Sequence, residues 1–152
     1  MAEFYLGLDY GTSGARACVL DHAGATVHEA RADYAEAAGQ QHWREALFDL
    51  ISDIPLPLRS QLCALTIDGT SGTVLATDAD LEPLGPALMY NDARARQEAT
   101  EIDNARFGAS SGLAKRLWLA RHHPEATYCF HQADWLAALL SGKPGITDYQ
   151  DR

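Results

Sequence analysis

Positive charge is scarce in this chain. Lysine and arginine number 12 against 21 aspartates and glutamates, for a formal net charge of −9. Nucleic acid is held by clustered basic side chains, so this balance argues against it as a partner. A small anion gripped by backbone donors stays open. Long apolar runs are also missing, and none approaches the ~20 residues of a membrane helix. The N-terminal Met1-Ala2-Glu3-Phe4-Tyr5 has neither the basic flank nor the apolar stretch of a signal peptide. Cysteine is sparse: Cys18, Cys63 and Cys129 stand far apart, each in an apolar setting. They read as small buried hydrophobes rather than a disulfide framework or a zinc site. The histidines are scattered without metal-ligand spacing, and His122-His123 suits the end of a helix before Pro124. Internal repeats, low-complexity tracts and linkers are absent too. Together these absences point to a cytoplasmic protein with no membrane partner. What remains is ordinary globular material, 152 residues with 47% hydrophobic side chains, enough for one domain with a sizeable core.

The most informative stretch is Phe4 to Asp21. Two short apolar runs, Phe4 to Leu8 and Ala15 to Leu20, flank Asp9-Tyr10-Gly11-Thr12-Ser13-Gly14. Two strands joined by a glycine-containing loop make a β-hairpin. Gly11 and Gly14 are able to take positive φ and leave no side chain in the way. The loop then exposes backbone N–H groups, and Thr12 and Ser13 add hydroxyls, a set of donors that suits a phosphate. Asp9 would aim a carboxylate at the same spot. A carboxylate beside a phosphate needs a cation between them, and Mg²⁺ binds through one or two carboxylates plus phosphate oxygens. An ordinary tight turn has the same composition. A Walker loop is excluded, since Gly-Lys-Ser/Thr is lacking and a strand follows rather than a helix.

Further along, Ala25 to Tyr34 alternates loosely and predicts a third strand, completing an antiparallel meander. Trp43, Ala46, Leu47, Leu50 and Ile51 recur at helical spacing, with Pro55 and Pro57 as the stop. Leu62 to Ile67 reads as a buried strand, parallel in the same sheet because a helix precedes it. Thr73 to Ala76 and Ala87 to Tyr90 read as further short strands. A polar helix begins near Ala95 and fades near Gly108. Leu113, Leu117 and Trp118 mark a second helical face, and Trp135, Leu136, Leu139 and Leu140 a third with Gly142 as its C-cap. The three tryptophans are read as core. The fold class is α/β: a mixed sheet with a β-meander start and flanking helices.

Two later clusters carry small polar residues. Thr70, Ser71 and Gly72 follow the fourth strand, and ligands of α/β sheets bind at the carboxyl ends of strands. The loops after strands one and four would then face a common crevice, where hydroxyls suit a polyol. A glycine-rich turn with capping hydroxyls is the alternative. In Asn91-Asp92-Ala93-Arg94, Asp92 is either a ligand group or the N-cap of the following helix, with Arg94 and Arg96 on its solvated face.

In combination these residues resemble a known family. Gly7-Leu8-Asp9-Tyr10-Gly11-Thr12-Ser13 resembles the first phosphate motif of the actin-like, ribonuclease H-like ATPases. Ile67 to Leu75, Pro86 to Arg94, Lys115-Arg116-Leu117-Trp118-Leu119, Asp134-Trp135-Leu136 and Thr147-Asp148 resemble the FGGY carbohydrate kinases, nearest the xylulokinase-like and D-ribulokinase-like members of cyanobacteria and plants. The resemblance implies transfer of the γ-phosphate of Mg·ATP to a sugar hydroxyl in a cleft between two actin-like domains. It implies that Asp9, Gly11, Thr12 and Ser13 bind ATP, with Asp9 near Mg²⁺. It further implies that Thr70, Ser71 and Gly72 line the sugar pocket, with Asn91, Asp92 and Arg94 near it. The family's catalytic aspartate, adenosine loop and second domain have no counterpart up to Arg152, and neither Asp68, Asp148 nor Asp151 is assigned as the base. Residues 1–152 then correspond to an N-terminal portion of the first domain, with uncovered strand edges that invite self-association. Set against the kinase is a non-catalytic sugar- or nucleotide-binding module of the same fold. The sugar itself, and the oligomeric state, are left open.

Overall fold

Alternation in the first thirty residues builds a sheet. The computed structural model describes residues 3–35, 39–102 and 107–147, which form parts of two units, Met1–Gly69 and Thr70–Arg152.

In the first unit, β1 (Phe4–Tyr10), β2 (Gly14–Asp21) and β3 (Thr26–Asp33) form the expected antiparallel meander. Burial follows the pleat: Phe4, Leu6, Leu8 and Tyr10 are buried from β1, and Ala15, Ala17 and Val19 from β2. Helix α1 (Gln40–Asp53) lies chiefly over β2 and β3 and brings Trp43, Ala46, Leu47 and Leu50 into the same core. Each such large aliphatic side chain contributes about 1.5–3 kcal/mol of transfer free energy. The helix starts at Gln40, earlier than its apolar face indicated. Pro55 and Pro57 stop α1 and also open a short helix, α2 (Leu56–Arg59), because proline's fixed φ suits a first turn.

Strand β4 (Leu62–Gly69) pairs parallel with β1, giving the sheet order β3-β2-β1-β4. The parallel pairing is as expected, but the burial is not. Residues Cys63 to Thr66 are exposed, Leu65 by 46%. β4 is an edge strand, and Leu65, which pairs with Leu6, lies beyond the cover that α1 gives β2 and β3. Cys63 is therefore exposed rather than a buried hydrophobe, and Cys18 and Cys129 are partly buried.

The second unit has its own sheet. β5 (Val74–Thr77), buried at every position, pairs antiparallel with β6 (Tyr128–His131) rather than joining the first sheet. Among the described residues there are thus two sheets where one was expected. Residues 87–90 contribute only an isolated bridge, Leu88 to Val74. Around this pair stand α3 (Arg96–Glu101), α4 (Gly112–His122) and α5 (Gln132–Ser141). Val74, Ala76, Leu88 and Leu119 form a core against which Trp118 packs. Leu113 and Leu117 are exposed, and α4 instead buries Ala114, Lys115 and Leu119. Trp43 and Trp135 are fully buried, and the Trp135 indole N–H donates to the Leu81 carbonyl at 3.0 Å. Gly142 ends α5 in the left-handed conformation, φ 65°. Among the described residues no helix is long and apolar enough to cross a membrane.

Candidate functional site

The β1–β2 register dictates the first site. Asp9 pairs with Arg16, and Arg16 pairs in turn with Arg31 on β3. All three are exposed, on the sheet face opposite the core residues Leu8, Tyr10, Ala15 and Ala17. They line a cleft of about 150 Å³ together with Gly11, Ser13, Gly14 and Asp33. Two carboxylates, two guanidiniums and the hairpin loop thus meet at one cleft, where Arg31 Nε donates to Asp33 Oδ1 at 2.8 Å.

The loop is tied from behind by Tyr34. Its hydroxyl donates to the Gly11 carbonyl at 2.8 Å and to the Gly14 carbonyl at 3.1 Å. Its backbone N–H donates to the Ser13 carbonyl at 3.1 Å, and the Gly11 N–H closes the turn on the Gly14 carbonyl at 3.0 Å. An anion is repelled by free carbonyl oxygens, and three of this loop's are occupied, while Ser13 is exposed and lines the cleft and Thr12 is not among the lining residues. Burial pushes the Tyr34 hydroxyl's pKa up to about 12, with help from the Asp9 charge, so it stays a donor at neutral pH. Gly11 and Gly14 do not take positive φ; among the described glycines that conformation belongs to Gly24, Gly72, Gly142 and Gly145. Gly14 is required for a different reason. A Cβ there would stand 2.9 Å from the Ala32 carbonyl oxygen on the neighbouring strand.

Asp9 suits a hydrated Mg²⁺. It is an exposed carboxylate at the cleft, where the other, Asp33, is paired with Arg31, and among the described residues no three His, Cys, Asp or Glu side chains converge into an all-protein cage. Mg²⁺ takes one or two carboxylates and fills its remaining positions with water and phosphate oxygens.

The second site belongs to the second unit. Thr70 to Thr73 is a tight turn closed by the Thr73 N–H on the Thr70 carbonyl at 3.2 Å, with Gly72 at φ 73°, the position where a type II turn needs glycine. Ser71 is exposed at its tip. The Thr70 N–H donates to Gln132 Oε1 at 2.8 Å, and Lys115 Nζ donates to the Gly72 carbonyl at 2.8 Å. The same ammonium reaches the Met89 and Tyr90 carbonyls, next to Asn91. The turn and the Asn91 segment are therefore brought together through Lys115.

Asp92 is not the N-cap of α3, a position held by Ala95. Its carboxylate accepts from the Arg94 backbone N–H at 3.0 Å and from Arg94 Nε at 2.9 Å, and pairs with Nη2 at 2.7 Å. Burial alone would raise the Asp92 pKa, but the Arg94 hydrogen bonds and charge outweigh it, with the Lys115 charge adding to them, and hold it below the ordinary value. Arg94 precedes the helix and lies over the Trp118 ring, 5.2 Å from its centroid, while Trp118 stacks on His122 at 3.7 Å. The guanidinium is thereby fixed in direction while it stays half-exposed. A separate cleft of about 290 Å³ in this unit, lined by Arg116, Tyr128, Phe130 and Asp134 among others, includes none of these residues. Asp148 and Asp151 lie outside the described residues.

Sequence alone does not single out Arg16, Tyr34 or Gln132, and it marks Lys115 only as part of the Lys115–Leu119 motif, without a role. Arg16 was within reach, since a hairpin closed around residues 11–13 pairs it with Asp9. The other three act on backbone groups 20 to 62 residues away, a distance no local pattern reports.

Comparison with known proteins gives a consistent picture. Residues 4–150 match the family model described as the N-terminal domain of the FGGY family of carbohydrate kinases. A xylulose kinase of Streptomyces coelicolor is 28% identical over 170 residues, covering 96% of this chain and 35% of the relative. A xylulose kinase of Escherichia coli is 30% identical over 156 residues, covering 86% of this chain and 30% of its own length. Among solved structures, a xyloylose kinase from Brucella ovis superposes with a TM-score of 0.74 at 25% identity, covering 92% of this chain and 34% of that one. Glycerol kinase of Plasmodium falciparum with ADP, at 18% identity and a TM-score of 0.72 over 93% of this chain and 35% of that one, shows the shared fold.

Proposed function

Because the chain belongs to the FGGY family of carbohydrate kinases, we propose that it carries the phosphate-binding hairpin and part of the sugar pocket of an ATP-dependent sugar kinase. It spans about a third of the curated relatives it matches, 35% and 30% of the two described. Residues 1–152 would then be the N-terminal portion of the first kinase domain. The acceptor is a ketose such as D-xylulose or D-ribulose, a choice supported by the xylulose kinases among the relatives.

The observation that carries this reading is the cleft in which Asp9 and Arg16 face one another beside a loop whose carbonyls are already bonded to Tyr34. Phosphoryl transfer asks the protein for positioning and charge neutralisation more than for covalent chemistry. The Thr12 and Ser13 amides and hydroxyls take phosphate oxygens beside Gly11, Arg16 adds a cation, and Asp9 is the ligand for Mg²⁺. When bound, that ion neutralises the charge shared by the phosphate oxygens. Ser71 and Thr70 offer hydroxyls to the sugar, with Asn91 and the braced Asp92–Arg94 pair beside them. A base for the attacking hydroxyl comes from a part of the kinase beyond the residues assigned here, so the 152-residue chain alone is inactive.

In the full-length kinase, Asp9→Ala is expected to lower kcat by about 10²-fold or more, the scale of losing one preorganised electrostatic partner. Ser71→Ala is expected to raise the sugar KM while leaving the ATP KM near its starting value. Steady-state kinetics with each substrate varied in turn checks both. Full activity in Asp9→Ala would remove the Mg²⁺ role, and an effect of Ser71→Ala confined to ATP would misplace that loop.

A further inference from the structure

Lys115 is a charge in a place where a hydrocarbon would cost less. It has no exposed surface, and burial pushes its pKa below that of an ordinary lysine although Asp92 pulls it partly back. Burying an ammonium is costly unless its donors are matched, and an apolar side chain of similar length avoids the cost altogether. Here every donor is matched. Nζ donates to the carbonyls of Gly72 at 2.8 Å, Met89 at 2.7 Å and Tyr90 at 3.0 Å, and an ammonium has three protons to give. Those carbonyls come from two loops distant in sequence. A hydrocarbon would fill the space but leave the carbonyls unpaired and the loops unjoined.

Gln132 complements this from the other side of the turn. It is 1% exposed, its Oε1 accepts the Thr70 N–H at 2.8 Å, and its backbone N–H donates to the Thr73 carbonyl at 3.1 Å. The turn from Thr70 to Thr73 is thus gripped by a buried donor at one residue and a buried acceptor at another, while Ser71 between them points no backbone group at either and remains exposed.

We propose that Lys115 and Gln132 are positioning residues for sugar recognition: as a two-point clamp they fix the Thr70–Gly72 turn and the Met89–Asn91 segment relative to one another, so that Ser71 and Asn91 meet the same ligand. This rests on the assignment of those loops to the sugar. Neither side chain touches the substrate; both act through backbone groups.

The test combines kinetics of the full-length protein with amide hydrogen exchange measured without substrate. Gln132→Met removes the acceptor at similar volume, and Lys115→Met removes the ammonium. Gln132→Glu keeps an acceptor oxygen at the same place, because a carboxyl buried this deeply stays protonated and its carbonyl oxygen still accepts from the Thr70 N–H. Gln132→Met and Lys115→Met are expected to raise the sugar KM about tenfold while the ATP KM changes by less than about twofold, a loss of uniform sugar binding. Gln132→Glu should return the sugar KM close to wild type. Exchange should quicken at residues 70–73 and 89–91 and stay slow in β5. If Lys115→Met does not fold, the Gln132 pair carries the test. A folded Gln132→Met with wild-type sugar KM and unaltered exchange overturns the proposal, as does an equal rise in both KM values. A wild-type protein with no sugar-dependent turnover overturns the kinase reading instead, and the exchange data, which need no substrate, tell the two failures apart.

Discussion

Tyr34 ties the hairpin loop together through one hydroxyl shared between two carbonyls. A neutral intramolecular hydrogen bond contributes about 0.5–1.5 kcal/mol net, so Tyr34→Phe is expected to destabilise the fold by about 0.5–1.5 kcal/mol, measured by denaturant unfolding at neutral pH. The same residue sets an alkaline limit. A phenol titrating near 10 when unfolded and at about 12 when folded contributes stability that is fully present below pH 10 and is lost as pH rises toward 12. Unfolding midpoints taken across that window should fall in the wild type and fall less steeply in Tyr34→Phe. A residual slope remains in the variant, because burial also raises the pKa of Tyr10. Identical slopes in the two proteins would mean that the Tyr34 hydroxyl is not held as described. At this scale the sequence was only partly legible. Asp9, Thr12 and Ser13 announced themselves by type and spacing. Tyr34 did not, since its partners lie 20 and 23 residues earlier and tyrosine at a strand end is common.

Among the elements, the hairpin was readable and β6 was not, for reasons that can be named. The apolar alternation in β1 and β2 and the polar glycine loop between them are local signals. β6 is four residues long, carries no flanking turn former, and runs directly into α5 at Gln132. Its partner β5 lies more than fifty residues earlier, so nothing nearby marks it as a strand. The burial of β4 failed for a related reason: an apolar run shows what a strand is able to bury against, not whether a neighbour is there. Two consequences can be measured. Gly14→Ala forces a Cβ to 2.9 Å from the Ala32 carbonyl oxygen, a backbone atom with little room to retreat. A destabilisation of about 1–3 kcal/mol, the usual range for overpacking, is expected on denaturant unfolding. The exposed edge of β4, with Leu65 at 46%, is a surface through which the 152-residue chain should self-associate. Sedimentation velocity should show mass rising with concentration for the wild type, and Leu65→Glu should suppress the rise. A wild type that stays monomeric over the accessible range would remove the edge as an association site.

For the whole molecule, the family was legible because several short motifs fall in one order along the chain, and the match from residue 4 to residue 150 agrees with that order. What could not be read was the division into two units with separate sheets, since strand partnership is decided by tertiary contacts rather than by period. The two candidate sites fall one in each unit, the phosphate hairpin before Gly69 and the sugar turn after it. A kinase needs both, together with a base to take the proton from the attacking hydroxyl. The most direct measurement is therefore coupled ADP release, run with Mg·ATP over a panel of ketoses and polyols, on residues 1–152 alone and on the full-length protein. Sugar-dependent ADP release from the full-length protein, with none from residues 1–152, is the predicted result. Sugar-dependent release from residues 1–152 would contradict the placing of the base elsewhere, and silence from both would contradict the kinase itself and leave a binding module.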